Sequence, residues 1–595
     1  MFRRRPGSVG IQHQQQRPIT RLEEKLKSVR ITLVFLLLLI AAFLSLAARC
    51  LYLQHFRAEH YRQISFRQQR KFVTEKPQRG EIVDCRGRLL AASDKFQVIK
   101  AEPRIIQDPV KLAPKLAPIL DIEGIEIYKR ITESGNPGFA RLKLDATARQ
   151  CAAASKFHGI GVESQWRRHY PMGRLACHVV GFTSLDNRGL GGIELECDKE
   201  LSGLPRLNVF FADARRRPVR LKQQSGEFTD GAGAILTLDS TIQQFTRDEL
   251  VRQYREFEAE GAIAIVAEPK TGAILAMVSL PDFDPGDIRS ADANTFRNRA
   301  VNDQFEPGSI LKPIVAAVAL DAGVVNTSER IFCEDGFYHG RGFGGITEYR
   351  NHRYGNMTVR QILVKSSNIG MAKIGQKLGK EKLYKGLKLF GFGKKTDIEL
   401  PGEAPGLLWP VSRWTGYSVT RIPFGQEITV TTIQLLRAYC ILANGGRSVQ
   451  PYLIKAMFDN DGKVIKLKHP RTTSVGFVVD PEVANWVVRD ALVEVVEEGT
   501  GKRAKLEKWQ VFGKTGTANI AKSNEAGYSK SDYVASFIAG APAEDPAVLV
   551  LVSIRKPNKK LGKGYTGGAV ASPVAARILE KTLTYLQVPE RQQGS

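Results

Sequence analysis

The 595-residue chain exceeds one ordinary domain of roughly 100 to 200 residues, so two or more folded units are expected. Apolar residues at 43% and charged residues at 25% exclude a largely disordered or fibrous chain. A formal net charge of +26 suits an anionic partner, but the chain has no zinc-finger spacing, no RNP-like aromatic strand and no concentrated basic recognition helix, which argues against nucleic acid. Seven cysteines (Cys50, Cys85, Cys151, Cys177, Cys197, Cys333 and Cys440) form no CxxC pair, so neither a zinc site nor a disulfide framework is implied, although one or two bridges are possible in an oxidising compartment.

In chain order, the first strong element is residues 31–48, an uncharged apolar run between Arg30 and Arg49 of the length a bilayer-spanning helix needs, giving an anchor over 31–50. Arg3, Arg4, Arg5, Arg17, Arg21, Lys25, Lys27 and Arg30 precede it against only Glu23 and Glu24, which predicts a cytoplasmic tail over 1–30 and an extracytoplasmic remainder. The run is longer than the apolar region of about 7 to 15 residues in a cleaved signal peptide. Arg49 also stands where a small residue should precede a lipidated Cys50. Residues 51–78 read as a polar stalk, and 79–230 alternate short apolar runs with turn residues, giving a mixed α/β pedestal over 51–230.

A second domain is expected over 231–595. TLDSTIQQFTRDEL reads as a strand end entering a helix capped by Asp239 or Ser240, and GAIAIVAEPKTGAILAMVS reads as a hairpin. AVLVLVSIR reads as a buried strand, and residues 570–586 as a closing helix. The fold class is therefore α/β.

Within this domain, FEPGSILKPIVAAVALDAG places Gly308 and Ser309 before an apolar run that Gly323 can end. Pro313 lacks an N–H, so it fits only if the helix starts near Ser309, which would make Ser309 a cap on its positive end. Lys312, three residues on, shares that helix face, and a lysine held neutral by burial can take a serine proton. Ser553 and Lys556 repeat the spacing, but in a strand residues three apart face opposite sides. Ser366 and Asn368 offer a relay hydroxyl and a positioning amide. Ser134-Gly135-Asn136 matches that spacing too, in a turn upstream of the candidate nucleophile. Lys514, Thr515, Gly516 and Thr517 suit a carboxylate-ended peptide: a cation, two hydroxyls from one strand face, and a glycine allowing close backbone approach. The N–H groups of Thr517 and Ser309 are candidates for an oxyanion hole. Lys270-Thr271-Gly272 is a second copy of the tripeptide, placed in the hairpin turn.

The ordered set SxxK, SxN and KTG resembles the signature of penicillin-binding proteins and class A β-lactamases. RGEIVDCRGRLLA and YPMGRLACHVVG resemble pedestal motifs of class B penicillin-binding proteins, and LPGEAPGLL, ITVTTIQLLRAYCILANGG and VFGKTGTA resemble further family segments. The similarity covers about residues 75–580 and points to the division, FtsI-like type, with the elongation type as the alternative. It implies a serine β-lactamase-like fold with an antiparallel sheet covered by helices on both faces. It further implies Ser309 as the acylated nucleophile, Lys312 as its base, Ser366 and Asn368 as the second motif, and Lys514 with Thr515, Gly516 and Thr517 as the third.

The implied substrates are stem peptides ending in D-Ala-D-Ala on lipid-linked precursor strands, with β-lactams as inhibitors and no metal or cofactor. No glycosyltransferase domain fits before residue 230, so a separate FtsW-like polymerase and other divisome membrane proteins are the implied partners, and no PASTA repeats are expected. Cys85 and Arg86 depart from the Arg-Asn pair of the pedestal motif, LPRLNVFFADARRRPV replaces an expected glycine-rich stretch, and Ser367 replaces Asp in SxN. Competing readings are a β-lactam-sensing receptor, which residues 1–30 are too few to serve as a signalling domain, a non-catalytic divisome scaffold, and a β-lactamase.

Overall fold

The computed structural model describes residues 19–212, 218–467, 476–522 and 527–591, so the first eighteen residues of the basic tail and part of the LPRLNVFFADARRRPV stretch lie outside the described residues. The chain divides into two compact units, one formed by residues 1–75 and 206–227, the other by 76–205 and 228–595.

In the smaller unit a single helix, Ile19–His55, runs beyond both ends of the predicted anchor, and its Lys25–His55 portion is long and apolar enough to cross a bilayer. Its side chains from Lys25 onward are nearly all exposed, as a lipid-facing helix requires. A second helix, Ala58–Gln69, leads into a three-stranded antiparallel sheet with Arg206–Ala212 between Arg70–Glu75 and Pro218–Ser225. There Glu75 accepts hydrogen bonds from Arg206 and Asn208, both at 2.9 Å.

The larger unit contains two principal sheets. One runs in the order Val464–Leu467, Ile454–Phe458, Gly233–Leu236, Ile82–Val83, Leu89–Ala101, Ala140–Lys143, with Ile160–His169 also pairing to Leu89–Ala101. Only Ile82–Val83 against Gly233–Leu236 is parallel, so one sheet joins strands from both sides of residue 231. Behind it Glu194, wholly buried, is held by Arg79 at 2.6 Å and Arg168 at 2.5 Å, so this carboxylate is fully paired where burial would otherwise be prohibitive. Arg79 and Tyr170 belong to the two pedestal motifs, and both reach Glu194. The seven cysteines all carry free thiols, so the possible bridges are not formed.

The second sheet is antiparallel throughout, in the order Ile274–Leu280, Gly261–Ala267, Val548–Arg555, Tyr528–Ala541, Phe512–Ala521. Gly261–Ala267 is buried at every residue and Val548–Arg555 at all but the last, which requires cover on both faces. Helices Ser240–Glu256 and Ser572–Tyr585 cover one face, and Thr432–Ala443 lies on the other with the apolar helix Lys312–Asp321 beyond it. Lys312–Ala319 is buried without interruption, as expected for a helix apolar all round. The predicted hairpin, buried strand and closing helix are all present, and Asp239 is the residue that caps Ser240–Glu256, accepting from Thr241 N at 2.9 Å. Asp239 also accepts from Arg86, Arg88 and Tyr585, so the departing Arg86 of the pedestal motif holds the cap of helix Ser240–Glu256.

Candidate active site

Ser309 lies in a 3-10 turn, Gly308–Leu311, that feeds the α-helix beginning at Lys312. The expected helix start is therefore correct only in part. Pro313 sits in the first α-helical turn, where its missing N–H costs nothing, but Ser309 makes no side-chain cap. The tighter turn has a chemical benefit, because residues three apart eclipse in a 3-10 helix and bring Ser309 and Lys312 onto one line. Gly308 adopts a positive φ of 58°, and its N–H donates to Gly425 O at 3.0 Å. A Cβ on Gly425 would stand 2.1 Å from Gly308 O, so only glycine lets the two backbones meet.

Ser366 ends helix Val359–Lys365 in the left-handed region at φ 60°, and Ser367 caps the next helix, Asn368–Leu389. This abrupt reversal turns Ser366 and Asn368 toward the same amine. Lys312 Nζ donates to Ser366 O at 2.6 Å, Asn368 Oδ1 at 2.9 Å and Ser366 Oγ at 3.3 Å. Lys514 approaches from the Phe512–Ala521 strand, and its Nζ donates to Ser366 Oγ at 3.1 Å and Thr515 O at 3.2 Å. One hydroxyl thus lies between two amines. Both lysines have no exposed surface. Burial brings the Lys312 amine down to about 7, with the Glu348 carboxylate acting weakly in the opposite direction. Burial and then the charge of Lys312 also hold Lys514 well below the ordinary lysine range.

Ser309, Ser366, Asn368, Thr515 and Thr517 line one cleft of about 280 Å³. Thr515 and Thr517, two apart on their strand, face the same side. Thr515 Oγ1 shares a 2.6 Å hydrogen bond with Thr500 Oγ1, while Thr517 Oγ1 accepts from Gly567 N at 3.1 Å. A Cβ on Gly516 would come within 3.2 Å of Pro307 O and 2.9 Å of Ile310, so this glycine lets the strand pack against the nucleophile turn. At the rim Glu306 accepts from Glu427 N at 2.9 Å and Tyr528 OH at 3.0 Å, and burial raises its carboxyl. The residues singled out in the three motifs are therefore brought together, with Lys312 and Lys514 buried behind Ser366.

The decoys lie elsewhere. Ser553 is bonded to Ser536 inside the sheet while Lys556 pairs with Glu260, Ser134 closes its own turn, and Lys270 pairs with Asp545. Sequence reasoning missed Glu348, Thr500 and Gly425, none of which carries a local pattern. A larger hollow of about 730 Å³ between Glu196, the loop 395–403 and Tyr452 contains none of the motif residues, so its size does not bear on the chemistry.

Residues 262–580 match the penicillin binding protein transpeptidase domain, and 74–233 match the penicillin-binding protein dimerisation domain. The chain is 34% identical to stage V sporulation protein D of Bacillus subtilis, over 95% of this chain and 87% of that protein. It is 29% identical to the peptidoglycan D,D-transpeptidase FtsI of Escherichia coli, over 86% of this chain and 84% of that protein. A crystal structure of penicillin binding protein 3 from Mycobacterium tuberculosis, complexed with aztreonam, superposes with a TM-score of 0.68 at 25% identity, covering 87% of this chain and 98% of that one. The chain belongs to the penicillin-binding protein transpeptidase family, in its class B, FtsI-like branch.

Proposed function

We propose that this protein is a serine-type D,D-transpeptidase that cross-links peptidoglycan stem peptides through an acyl-Ser309 intermediate during septal wall synthesis. The observation that carries the reading is the state of Lys312. Its amine is fully buried, its three hydrogen-bond acceptors are all uncharged, and it is brought down to about 7, so a substantial fraction is neutral near neutral pH. A lysine in that state can act as a base, which an exposed lysine cannot.

The proposed steps assign a role to each side chain at the cleft. Neutral Lys312 takes the Ser309 hydroxyl proton as Oγ attacks the carbonyl of the penultimate D-Ala. The oxyanion is met by the N–H groups of Ser309 and Thr517, and the terminal carboxylate by the hydroxyls of Thr515 and Thr517 with Lys514 behind them. As the C–N bond breaks, the proton on Lys312 passes through Ser366 Oγ to the departing amine of D-Ala. An acceptor amine from a neighbouring stem then attacks the ester, gives its proton to Lys312, and Ser309 leaves with that proton restored. Asn368 holds Lys312 and is available to the substrate amide.

Residues 1–30 are assigned to the cytoplasm, 31–50 to the membrane, 51–230 to the pedestal and 231–595 to the extracytoplasmic transpeptidase domain, a reading supported by the Lys and Arg excess before the anchor. The matched regions contain no glycosyltransferase model, which favours an FtsW-like polymerase as a partner within the membrane. The test is labelling of wild type and Ser309→Ala with a fluorescent penicillin, followed by chase. A long-lived adduct present only in wild type supports the reading. Rapid release would make the protein a β-lactamase, and a folded wild type that is not labelled would favour a scaffold.

A further inference from the structure

The second motif is held by a carboxylate that belongs to none of the three motifs. Glu348 follows the short strand Gly344–Thr347 and is 3% exposed, with its carboxylate turned toward the start of helix Asn368–Leu389. Asn368 N donates to Glu348 Oε2 at 2.7 Å, Ile369 N donates to Oε1 at 3.2 Å, and Ser367 Oγ donates to the same Oε1 in a short contact. Ser367 in turn accepts from Gly370 N at 2.9 Å, and Asn368 Nδ2 donates to Thr347 O at 3.0 Å. One acid therefore neutralises the positive end of the helix and satisfies two of its free N–H groups. It also fixes the middle residue of the Ser366-Ser367-Asn368 turn. On either side of it, Ser366 Oγ and Asn368 Oδ1 both accept from Lys312 Nζ.

We propose that Glu348 is a positioning residue for acylation: its carboxylate clamps the Ser366–Asn368 turn in the register that presents Ser366 Oγ and Asn368 Oδ1 to Lys312. The assignment rests on the acyl-Ser309 reading given above. Glu348 lines the same cleft as Ser309, so the clamp also contributes negative charge to the pocket. The groups that face it are Lys312 from the nucleophile helix, and Cys333 and Tyr354 from the segment that packs behind the turn, while Lys514 faces Lys312 from the strand. The carboxylate favours the protonated form of Lys312, so it opposes the desolvation that frees the base. Removing the charge while keeping the shape should therefore have two separable effects: a looser turn and a more acidic lysine.

The experiment is the second-order rate constant for acylation by a chromogenic or fluorescent penicillin, measured from pH 5 to pH 9 on the full-length protein in detergent. Glu348→Gln is compared with wild type, and Ser309→Ala is prepared in both backgrounds. Glutamine can accept at one oxygen, but its amide nitrogen cannot accept from Asn368 N or Ser367. The expected result is at least a tenfold lower plateau rate together with an acid limb displaced to lower pH, because the base then loses its proton more readily. An unchanged profile within twofold of wild type overturns the assignment, as does a lowered rate whose acid limb has not moved, which a merely structural role would give. Should Glu348→Gln not fold, Glu348→Asp decides, since it keeps the charge and withdraws it by one methylene. A tenfold lower rate with the acid limb in place and an unchanged melting temperature supports the clamp, whereas wild-type acylation, or a lower rate that only tracks a lost melting temperature, overturns it. Labelling that persists in Ser309→Ala would overturn the acyl-Ser309 reading itself, a failure distinct from any outcome at Glu348.

Discussion

Titrating the buried base tests the mechanism most directly, and the perturbation is pH alone. Lys312 has no exposed surface and is brought down to about 7 by desolvation. An ordinary lysine near 10.4 would be neutral in only about 1 molecule in 2,500 at pH 7, whereas one titrating near 7 is neutral in about half, a gain of about 10³ in available base. The sign follows from the neutral form being the reactive one. Acylation by penicillin should hold a plateau above pH 8, fall to about half at pH 7, to about one-tenth at pH 6 and to about one-hundredth at pH 5. Stopped-flow quenching of intrinsic tryptophan fluorescence, or timed labelling with a fluorescent penicillin, gives the rate constant at each pH. An acid limb that climbs through pH 9 to 10 would mean that Lys312 is an ordinary ammonium in the resting enzyme and would refute the base assignment.

Ser366→Ala removes the one hydroxyl between the two amines, and acylation should fall by about 10²-fold with little change in melting temperature, because the backbone bond from Lys312 to residue 366 remains. Gly425→Ala places a methyl 2.1 Å from Gly308 O at a φ of 86°, so labelling of Ser309 should drop at least tenfold. Gly462→Ala, at φ 78° with nothing within 4 Å, is the control: it should cost about 1 kcal/mol of stability and leave labelling intact. Asp239→Ala removes the cap of helix Ser240–Glu256 and the acceptor for Arg86, Arg88 and Tyr585. Thermal or denaturant unfolding should show a loss of about 2 kcal/mol, discounted for the solvent exposure of both arginines, while acylation of the remaining folded protein continues.

The parts of this structure that were legible in the sequence are those that local chemistry dictates. Pro313 announced a helix beginning close to Ser309, and the Lys270–Gly272 turn announced the hairpin that joins Gly261–Ala267 to Ile274–Leu280. What the proline rule could not reveal is that the entry is a 3-10 turn, because Pro313 tolerates either geometry. The Gly233–Leu236 strand was read as the opening of a new domain, yet it pairs with Ile82–Val83 and with Ile454–Phe458. Strands of two to five residues with partners so far away in the chain have no periodicity long enough to identify them. Glu348 was invisible for a related reason. Its contacts depend on a carboxylate meeting a helix start twenty residues downstream, across a turn, a short strand and another helix, and an isolated acid in a polar loop has no pattern.

The three short motifs occur more than once in this chain, and what separates the copies that meet at the cleft from the others is the cost of the environment. Lys270 and Lys556 are paired with Asp545 and Glu260 at the surface, away from the cleft that Ser309 lines. Lys312 and Lys514 are instead buried beside one hydroxyl and among uncharged acceptors, an arrangement that costs folding free energy and is offset by the surrounding apolar packing. That cost has a chemical consequence: burial lowers both amines that bond to Ser366, and the charge of Lys312 lowers Lys514 further. What sets Lys312 apart from the other lysines at this spacing is therefore the burial of helix Lys312–Asp321, which brings its amine down to about 7.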